Sequence, residues 1–184
     1  MPAADTGGAP RGATLPNPST RTQASVPTPM ERCLDSWHSV LSGDHAALAA
    51  LVADDAVLHS PIVYTPQRGK DKVLFYLTGA LMTFGGADRD DQPTAVRPDR
   101  MFTGPDGQQW DGRFRYVRTV VDTHDAILEF ETTMKGRYVN GVDMIRCDDE
   151  GHIVDFKVMI RPLQAVNTVH ALMASALETL KGHS

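Results

Sequence analysis

The order of its periodic segments most constrains the fold of this chain: helical patterns come first, and strand patterns joined by short turn signals follow. Residues 101–161 hold strand-like segments separated by turn signals such as Gly104-Pro105-Asp106-Gly107 and Asp148-Asp149-Glu150-Gly151. Strands joined by such short turns pair as antiparallel hairpins. Helices that precede them cover one face of the sheet. The sequence therefore predicts an α+β fold with a largely antiparallel sheet.

The helices are indicated by apolar residues at helical spacing. Cys33, Leu34, Trp37, Val40 and Leu41 form one stripe after Met30, and Gly43 suits the end of that helix. Further helices are predicted over Ala46–Ala53, from Arg68 to Phe84, and over Leu163–Leu180, with a short strand at Ala56–Ser60. The later strands are predicted at 101–103, Gln108–Val121, Asp125–Met134, Tyr138–Cys147 and His152–Arg161. Ala87–Arg100 is predicted to be a loop.

The first 29 residues differ in composition from the rest. They hold six of the twelve prolines and no Phe, Trp or Tyr. Such a segment cannot bury enough apolar surface to offset the entropy lost on ordering, so residues 1–29 are predicted to be a disordered arm. Residues 30–184 are long enough for one domain with its own core, and we expect no second one.

Charge, hydropathy and cysteine usage exclude several classes of protein. The formal net charge is −5, which argues against a nucleic-acid partner. The longest apolar run, Ala46–Ala53, is far shorter than the roughly 18 residues that a membrane span needs. Cys33 and Cys147 lack a disulfide framework and are expected to be buried, reduced thiols. We therefore expect a cytoplasmic protein. No zinc, nucleotide or serine-hydrolase motif is present, so neither a metal nor a cofactor is predicted.

Several local stretches resemble the NTF2-like superfamily, in particular its SnoaL-like branch. They are Ser42-Gly43-Asp44, Asp54-Asp55-Ala56-Val57, His59-Ser60-Pro61, the run from Arg68 to Val73, and the hairpin from Gly151 to Phe156. The resemblance covers about residues 31–162. It implies a cone in which a curved, antiparallel or mixed sheet packs against three N-terminal helices around an apolar cavity, followed by a C-terminal helix. It also implies a homodimer through the outer face of the sheet.

The carboxylates that perform catalysis in two branches of this superfamily are missing. Ketosteroid isomerases carry an aspartate base before a proline, where this chain has Ser60, and a tyrosine in the first helix, where it has Trp37 and its neighbours. A hydroxyl cannot replace a carboxylate as a base near neutral pH. Enzymes similar to limonene-epoxide hydrolase carry a carboxylate near Val158, which is apolar here.

SnoaL-type cyclases use a histidine or an aspartate as acid and base, and by this resemblance His59 and Asp143 are the candidate catalytic pair. Asp143 lies between two apolar residues of a strand, where an unpaired carboxylate is costly to bury. Opposite Phe156 it would face the cavity, whereas a slip of one residue would pair it with Lys157 on the other face. Both registers remain open, and His59 can equally be a structural histidine at a strand end.

The predicted ligand is a small apolar molecule held by aromatic and apolar side chains. The candidate wall residues are Trp37, Ser60, Tyr76, Phe102, Trp110, Tyr116, Phe156 and Val158. Each of the aromatic residues is explained equally well as part of the core. Three functions follow: a binding protein, favoured because the known bases are missing; an isomerase, cyclase or dehydratase that uses His59 and Asp143; and a protein-interaction module.

Overall fold

The computed structural model describes residues 26–85, 102–104 and 107–182. Most of the predicted arm and the predicted loop at 87–100 lie outside these residues. The helices are α1 (Pro29–Leu41), α2 (Ala47–Leu51), α3 (Lys70–Gly85) and α4 (Leu163–Lys181). The strands are β1 (Val52–His59), β2 (Gln67–Arg68), β3 (Phe102–Thr103), β4 (Gln109–Trp110), β5 (Arg115–Val121), β6 (Asp125–Met134), β7 (Arg137–Cys147) and β8 (Ile153–Arg161).

Six strands form one mixed sheet in the order β2-β1-β8-β7-β6-β5. Neighbours pair antiparallel, except that β1 lies parallel to β8. Strand β1 and the last strand, β8, are therefore neighbours in the sheet although they are far apart in sequence. The three helices before the hairpins and the helix after them pack against the sheet. The predicted α+β architecture is confirmed.

The first helix begins at Pro29, one residue before the predicted boundary of the domain. Thr28 caps it: its Oγ1 accepts a hydrogen bond from the Glu31 backbone N–H at 3.2 Å. The Glu31 carboxylate in turn accepts from the Thr28 backbone N–H at 2.6 Å. This reciprocal pair is a capping box, and a proline at the first helical position suits the fixed φ angle.

The second helix is shorter than predicted because β1 begins at Val52. Val52, Ala56 and Leu58 are buried, while Asp54 and Asp55 are exposed. Pairing with β8 runs from Val52 to His59, with an irregularity in its first half. Sheet pairing therefore takes Val52 and Ala53, the last two residues of the predicted helix, into the strand.

The predicted strand at Gln108–Val121 is divided by Gly112 into β4 and β5. Gly112 has a φ of 83°, a conformation that favours glycine. Its carbonyl accepts hydrogen bonds from the Thr133 backbone N–H at 2.8 Å and from the Thr133 hydroxyl at 3.0 Å. The corner is therefore fixed to β6.

Two contacts join segments that are distant in sequence. Cys33 of α1 and Cys147 of β7 are buried near each other, and burial raises the pKa of the Cys33 thiol to about 12. Gly79 lets α3 approach α4, since a Cβ atom there would lie 2.7 Å from Leu177 Cδ2. No helix among the described residues combines the length and apolarity needed to cross a membrane.

Candidate functional site

A large cavity lies between the inner face of the sheet and helices α1, α3 and α4. Its volume is about 680 Å³. Most of its wall is apolar or aromatic, and Asp143 is the one carboxyl group among the described residues that line it. The aromatic side chains in the wall are Trp37, Tyr76, Phe84, Phe114, Tyr116, Phe130 and Phe156.

A chain of hydrogen bonds leads from α1 to the carboxyl group. The indole Nε1–H of Trp37 donates to the Tyr116 hydroxyl at 2.9 Å, and that hydroxyl donates to Oδ2 of Asp143 at 2.7 Å. The Trp37 ring also packs against Phe156, with 5.2 Å between the ring centroids. Three elements, α1, β5 and β7, thus hold the carboxyl group in one position.

Asp143 is only 6% exposed, and this burial dominates its electrostatics. Desolvation raises the pKa of the carboxyl group to about 7, against an opposing effect of the Tyr116 hydrogen bond. Burial likewise raises the pKa of Tyr116 far above its ordinary value, so this phenol stays protonated. Asp143 is therefore a carboxyl group in the cavity wall whose pKa lies near neutral pH.

The register of the last hairpin decides that Asp143 faces the cavity. Asp143 pairs with Val158, and both line the cavity. Neither of the two predicted registers is correct, because the pairing shifts between Arg146 and Cys147 and leaves Val154 as an extra residue on β8. The turn places Cys147 opposite Ile153 rather than the predicted His152, and the β-bulge adds one more residue. The partner of Asp143 therefore moves by two residues, which preserves the parity of the first predicted register.

The predicted acid–base pair does not form. His59 lies beside Lys157 in the parallel pairing, on the face opposite to the cavity-lining Leu58 and Phe156. Its Nε2 atom is 3.0 Å from Oδ2 of Asp155 on that outer face. His59 is therefore in a structural pair on the outer face, separated from Asp143 by the sheet.

Most of the other predicted wall residues do line the cavity: Trp37, Ser60, Tyr76, Tyr116, Phe156 and Val158. Trp110 does not. It packs edge-on against Tyr138, and the Arg115 guanidinium lies 5.0 Å from its ring centroid. The Phe102 side chain lies outside the described residues, so its predicted role stays a prediction. The Ser60 hydroxyl accepts from the backbone N–H groups of Ile62 and Val63 and so stabilises a turn at the cavity wall.

One wall of the cavity was missed by the sequence reasoning. Helix α4 contributes Val169, Met173 and Leu177 to the lining, together with His170 and Ala174. The apolar stripe of α4 predicted a buried face but not what that face would enclose. Only the packing of α4 against α3 places it over the cavity.

A group of potential metal ligands lies at the turn between β7 and β8. Ligand atoms of Asp148, Glu150 and His152 lie within 4.8 Å of one another. Asp148 already accepts hydrogen bonds from the backbone N–H groups of Glu150 and His152, and its Oδ2 is 3.1 Å from the His152 ring. These contacts are explained by the turn itself.

Comparison with solved structures identifies the architecture. A steroid delta-isomerase from Pseudomonas aeruginosa is 28% identical, with a TM-score of 0.66 over 86% of this chain and 99% of the other. An uncharacterised protein with a cystatin-like fold from Silicibacter pomeroyi is 24% identical, with a TM-score of 0.57 over 78% of this chain and 83% of the other. An NTF2-like protein of unknown function from Mesorhizobium loti is 18% identical, with a TM-score of 0.51 over 75% of this chain and 98% of the other. Both are similar in fold. The chain has an NTF2-like fold. Neither the protein-family models nor the curated proteins gave a match.

The NTF2-like fold accounts for the shape of the site and confirms the resemblance drawn from the sequence. In this NTF2-like protein, the cavity wall before Pro61 carries the Ser60 hydroxyl rather than a carboxylate. The carboxyl group in the described part of the wall lies instead on β7, at Asp143, and accepts a hydrogen bond from Tyr116.

Proposed function

We propose that this NTF2-like protein binds a small, largely apolar molecule in the cavity, with the one polar group of that molecule against Asp143. The observation that carries the proposal is a carboxyl group at the wall of an apolar cavity of about 680 Å³. Ligand sites generally have volumes of about 300–1,000 Å³, apolar walls and few polar groups that orient the ligand. The Trp37–Tyr116–Asp143 chain provides such an orienting group.

A pair of substitutions on α4 tests binding. Both Ala174 and Ala171 are exposed, but Ala174 lines the cavity, whereas Ala171, three residues earlier, lies outside the lining. Ala174→Trp should weaken binding of the fluorescent apolar probe aminoanthracene by at least about tenfold, because the indole occupies cavity space. Ala171→Trp should leave the affinity unchanged. Native mass spectrometry of the freshly purified proteins should detect an apolar adduct that Ala174→Trp loses. Equal probe affinity in both variants would contradict the proposal.

An isomerase is the second candidate function. It is favoured by the pKa of about 7 of Asp143, which suits a group that exchanges a proton at neutral pH, and by the similarity to a steroid delta-isomerase. Because Ser60 cannot abstract a proton, Asp143 would have to act as both acid and base. The His59–Asp143 pair is not part of this candidate, since the sheet separates the two side chains.

The second candidate has a direct assay. Conversion of a β,γ-unsaturated steroid ketone to the conjugated enone is followed by ultraviolet absorbance. If Asp143 transfers the proton, Asp143→Asn removes the turnover, whereas Asp155→Asn on the outer face keeps it. If the protein only binds, the wild-type rate equals the rate in buffer.

We further propose that the protein is a cytoplasmic homodimer that pairs through the outer face of the sheet. Exposed apolar side chains on the outer face of the sheet support this proposal: Val120, Ile127 and Met159 are each more than two-fifths exposed. Replacing Ile127 by lysine should shift the sedimenting species from two subunits to one. A wild-type protein that sediments as a single 20.1 kDa chain at micromolar concentration would contradict the dimer.

A further inference from the structure

The hydrogen-bond directions in the Trp37–Tyr116–Asp143 chain restrict what a ligand can offer. The indole N–H can only donate, so the Tyr116 oxygen accepts from it and directs its own proton to Oδ2 of Asp143. The second carboxylate oxygen, Oδ1, accepts no hydrogen bond from the described residues. Every fully buried side-chain polar atom in the described part of the chain has a hydrogen-bond partner. Since Oδ1 has none, it is not fully buried. An acceptor atom on a nearly buried side chain is therefore open to the cavity.

The carboxylate also lacks a cation. Among the described residues, no lysine, arginine or histidine forms an ion pair with Asp143. Arg115, the arginine in the cavity wall, is bonded to Glu131 instead. Buried carboxylates in proteins are generally paired, because an uncompensated charge in an apolar environment is costly. A ligand that brings a positive charge would supply the missing partner.

Several aromatic side chains lie near Asp143 in the cavity wall. Phe156 and Phe130 are the diagonal neighbours of Asp143 on the two adjoining strands, on the same face of the sheet. Trp37 packs on Phe156, and Tyr116 bonds to the carboxylate itself. The faces of aromatic rings attract cations, and a carboxylate combined with aromatic walls is a suitable environment for an ammonium group.

We propose that the ligand of this cavity is an apolar amine, whose ammonium group donates to Oδ1 of Asp143 against the surrounding aromatic rings. This inference rests on the proposed binding function and specifies its ligand class. When Asp143 is ionised, this distinguishes the site from one built for a ketone: a ketone needs a donor, and the Tyr116 proton is already directed to Asp143.

Three probes with one skeleton separate the ligand classes. Naphthylethylamine, naphthylethanol and acetonaphthone present an ammonium, a hydroxyl and a carbonyl group on the same ring system. By isothermal titration at about pH 8, we expect the wild-type protein to bind the amine at least about tenfold more tightly than either neutral compound. Asp143→Asn should abolish this preference and leave the affinities for the two neutral compounds within about threefold of the wild type.

The matched control is Asp155→Asn. This substitution makes the same chemical change on the outer face of the sheet, where Asp155 pairs with His59. It should leave the preference for the amine intact, which excludes a general effect of net charge on cation binding.

Acidification gives the same comparison without a substitution. Because burial raises the pKa of Asp143 to about 7, the carboxyl group becomes protonated towards pH 5, and the preference for the amine should fall about tenfold. Other titratable groups also line the cavity: His38, His45, Tyr76, Arg115, Tyr116 and His170. Asp143→Asn retains these groups, so the pH dependence of amine binding to this variant measures their contribution.

The outcomes separate this inference from the binding function. Tighter binding of acetonaphthone than of the amine, or a preference for the amine that survives Asp143→Asn, would overturn the amine inference and leave the binding function in place. Failure of all three compounds to bind, together with failure of aminoanthracene, would overturn both.

Discussion

Replacing Asp143 by asparagine should stabilise the protein above neutral pH. Asparagine keeps an oxygen that can accept the Tyr116 hydrogen bond and has no charge to bury. The wild-type carboxyl group has a pKa of about 7 in the folded protein against 3.8 as the ordinary value. A raised carboxyl pKa means that the folded state holds a proton which the unfolded chain has released, so stability falls as the pH rises between these values. The difference corresponds to about 4 kcal/mol.

Urea unfolding followed by circular dichroism measures this effect. The free energy of unfolding of Asp143→Asn, relative to wild type, should increase by about 1.4 kcal/mol per pH unit from about pH 4 and level off above about pH 7. Other groups titrate in both proteins and cancel. Asp35→Asn, at an exposed position of α1, should follow the wild type across the range. A difference that stays constant between about pH 4 and 8 would show that burial does not govern the ionisation of Asp143.

Two further substitutions test local packing and capping by urea unfolding. Gly141→Ala should cost about 1–3 kcal/mol, because a Cβ atom there would overlap the Phe130 ring and lie 2.7 Å from the Met159 carbonyl oxygen; wild-type stability would contradict this packing. Thr28→Ala should cost about 1 kcal/mol by removing the acceptor for the Glu31 backbone N–H, and Thr28→Ser should restore most of the loss if the hydroxyl is responsible.

The order of elements was predictable from the sequence because it depends on local patterns. β6 spans Asp125–Met134, as its period predicts, and α1 and α4 follow their apolar stripes. Turn chemistry defined the hairpins, and the resemblance to the NTF2-like superfamily supplied the curved sheet around a cavity. These features depend on residues close together in the chain, or on a pattern shared by the whole fold. The parallel pairing of β1 with β8 was not predicted.

The site was harder to predict because it depends on which face of the sheet each strand residue occupies and on contacts between residues far apart in sequence. The bulge at Val154 sets the face of Asp143, and strand alternation on β7 or β8 alone cannot reveal an inserted residue. His59 is instructive, since buried Ala56 and Leu58 already place the next residue on the outer face. The prediction followed the resemblance instead of the alternation. The hydrogen bond from Trp37 to Tyr116 joins residues 79 positions apart, beyond what spacing can indicate.

Helix α4 forms one wall of the cavity but takes no part in the strand pairing of the sheet. The last paired strand ends at Arg161, and α4 then lies over the opening with Val169, Met173 and Leu177 inward. Substitutions on its inner side can alter the size and chemistry of the chamber without disturbing a single strand pairing. Exchanging the inner side chains of α4 should therefore change ligand selectivity while the sheet keeps its structure.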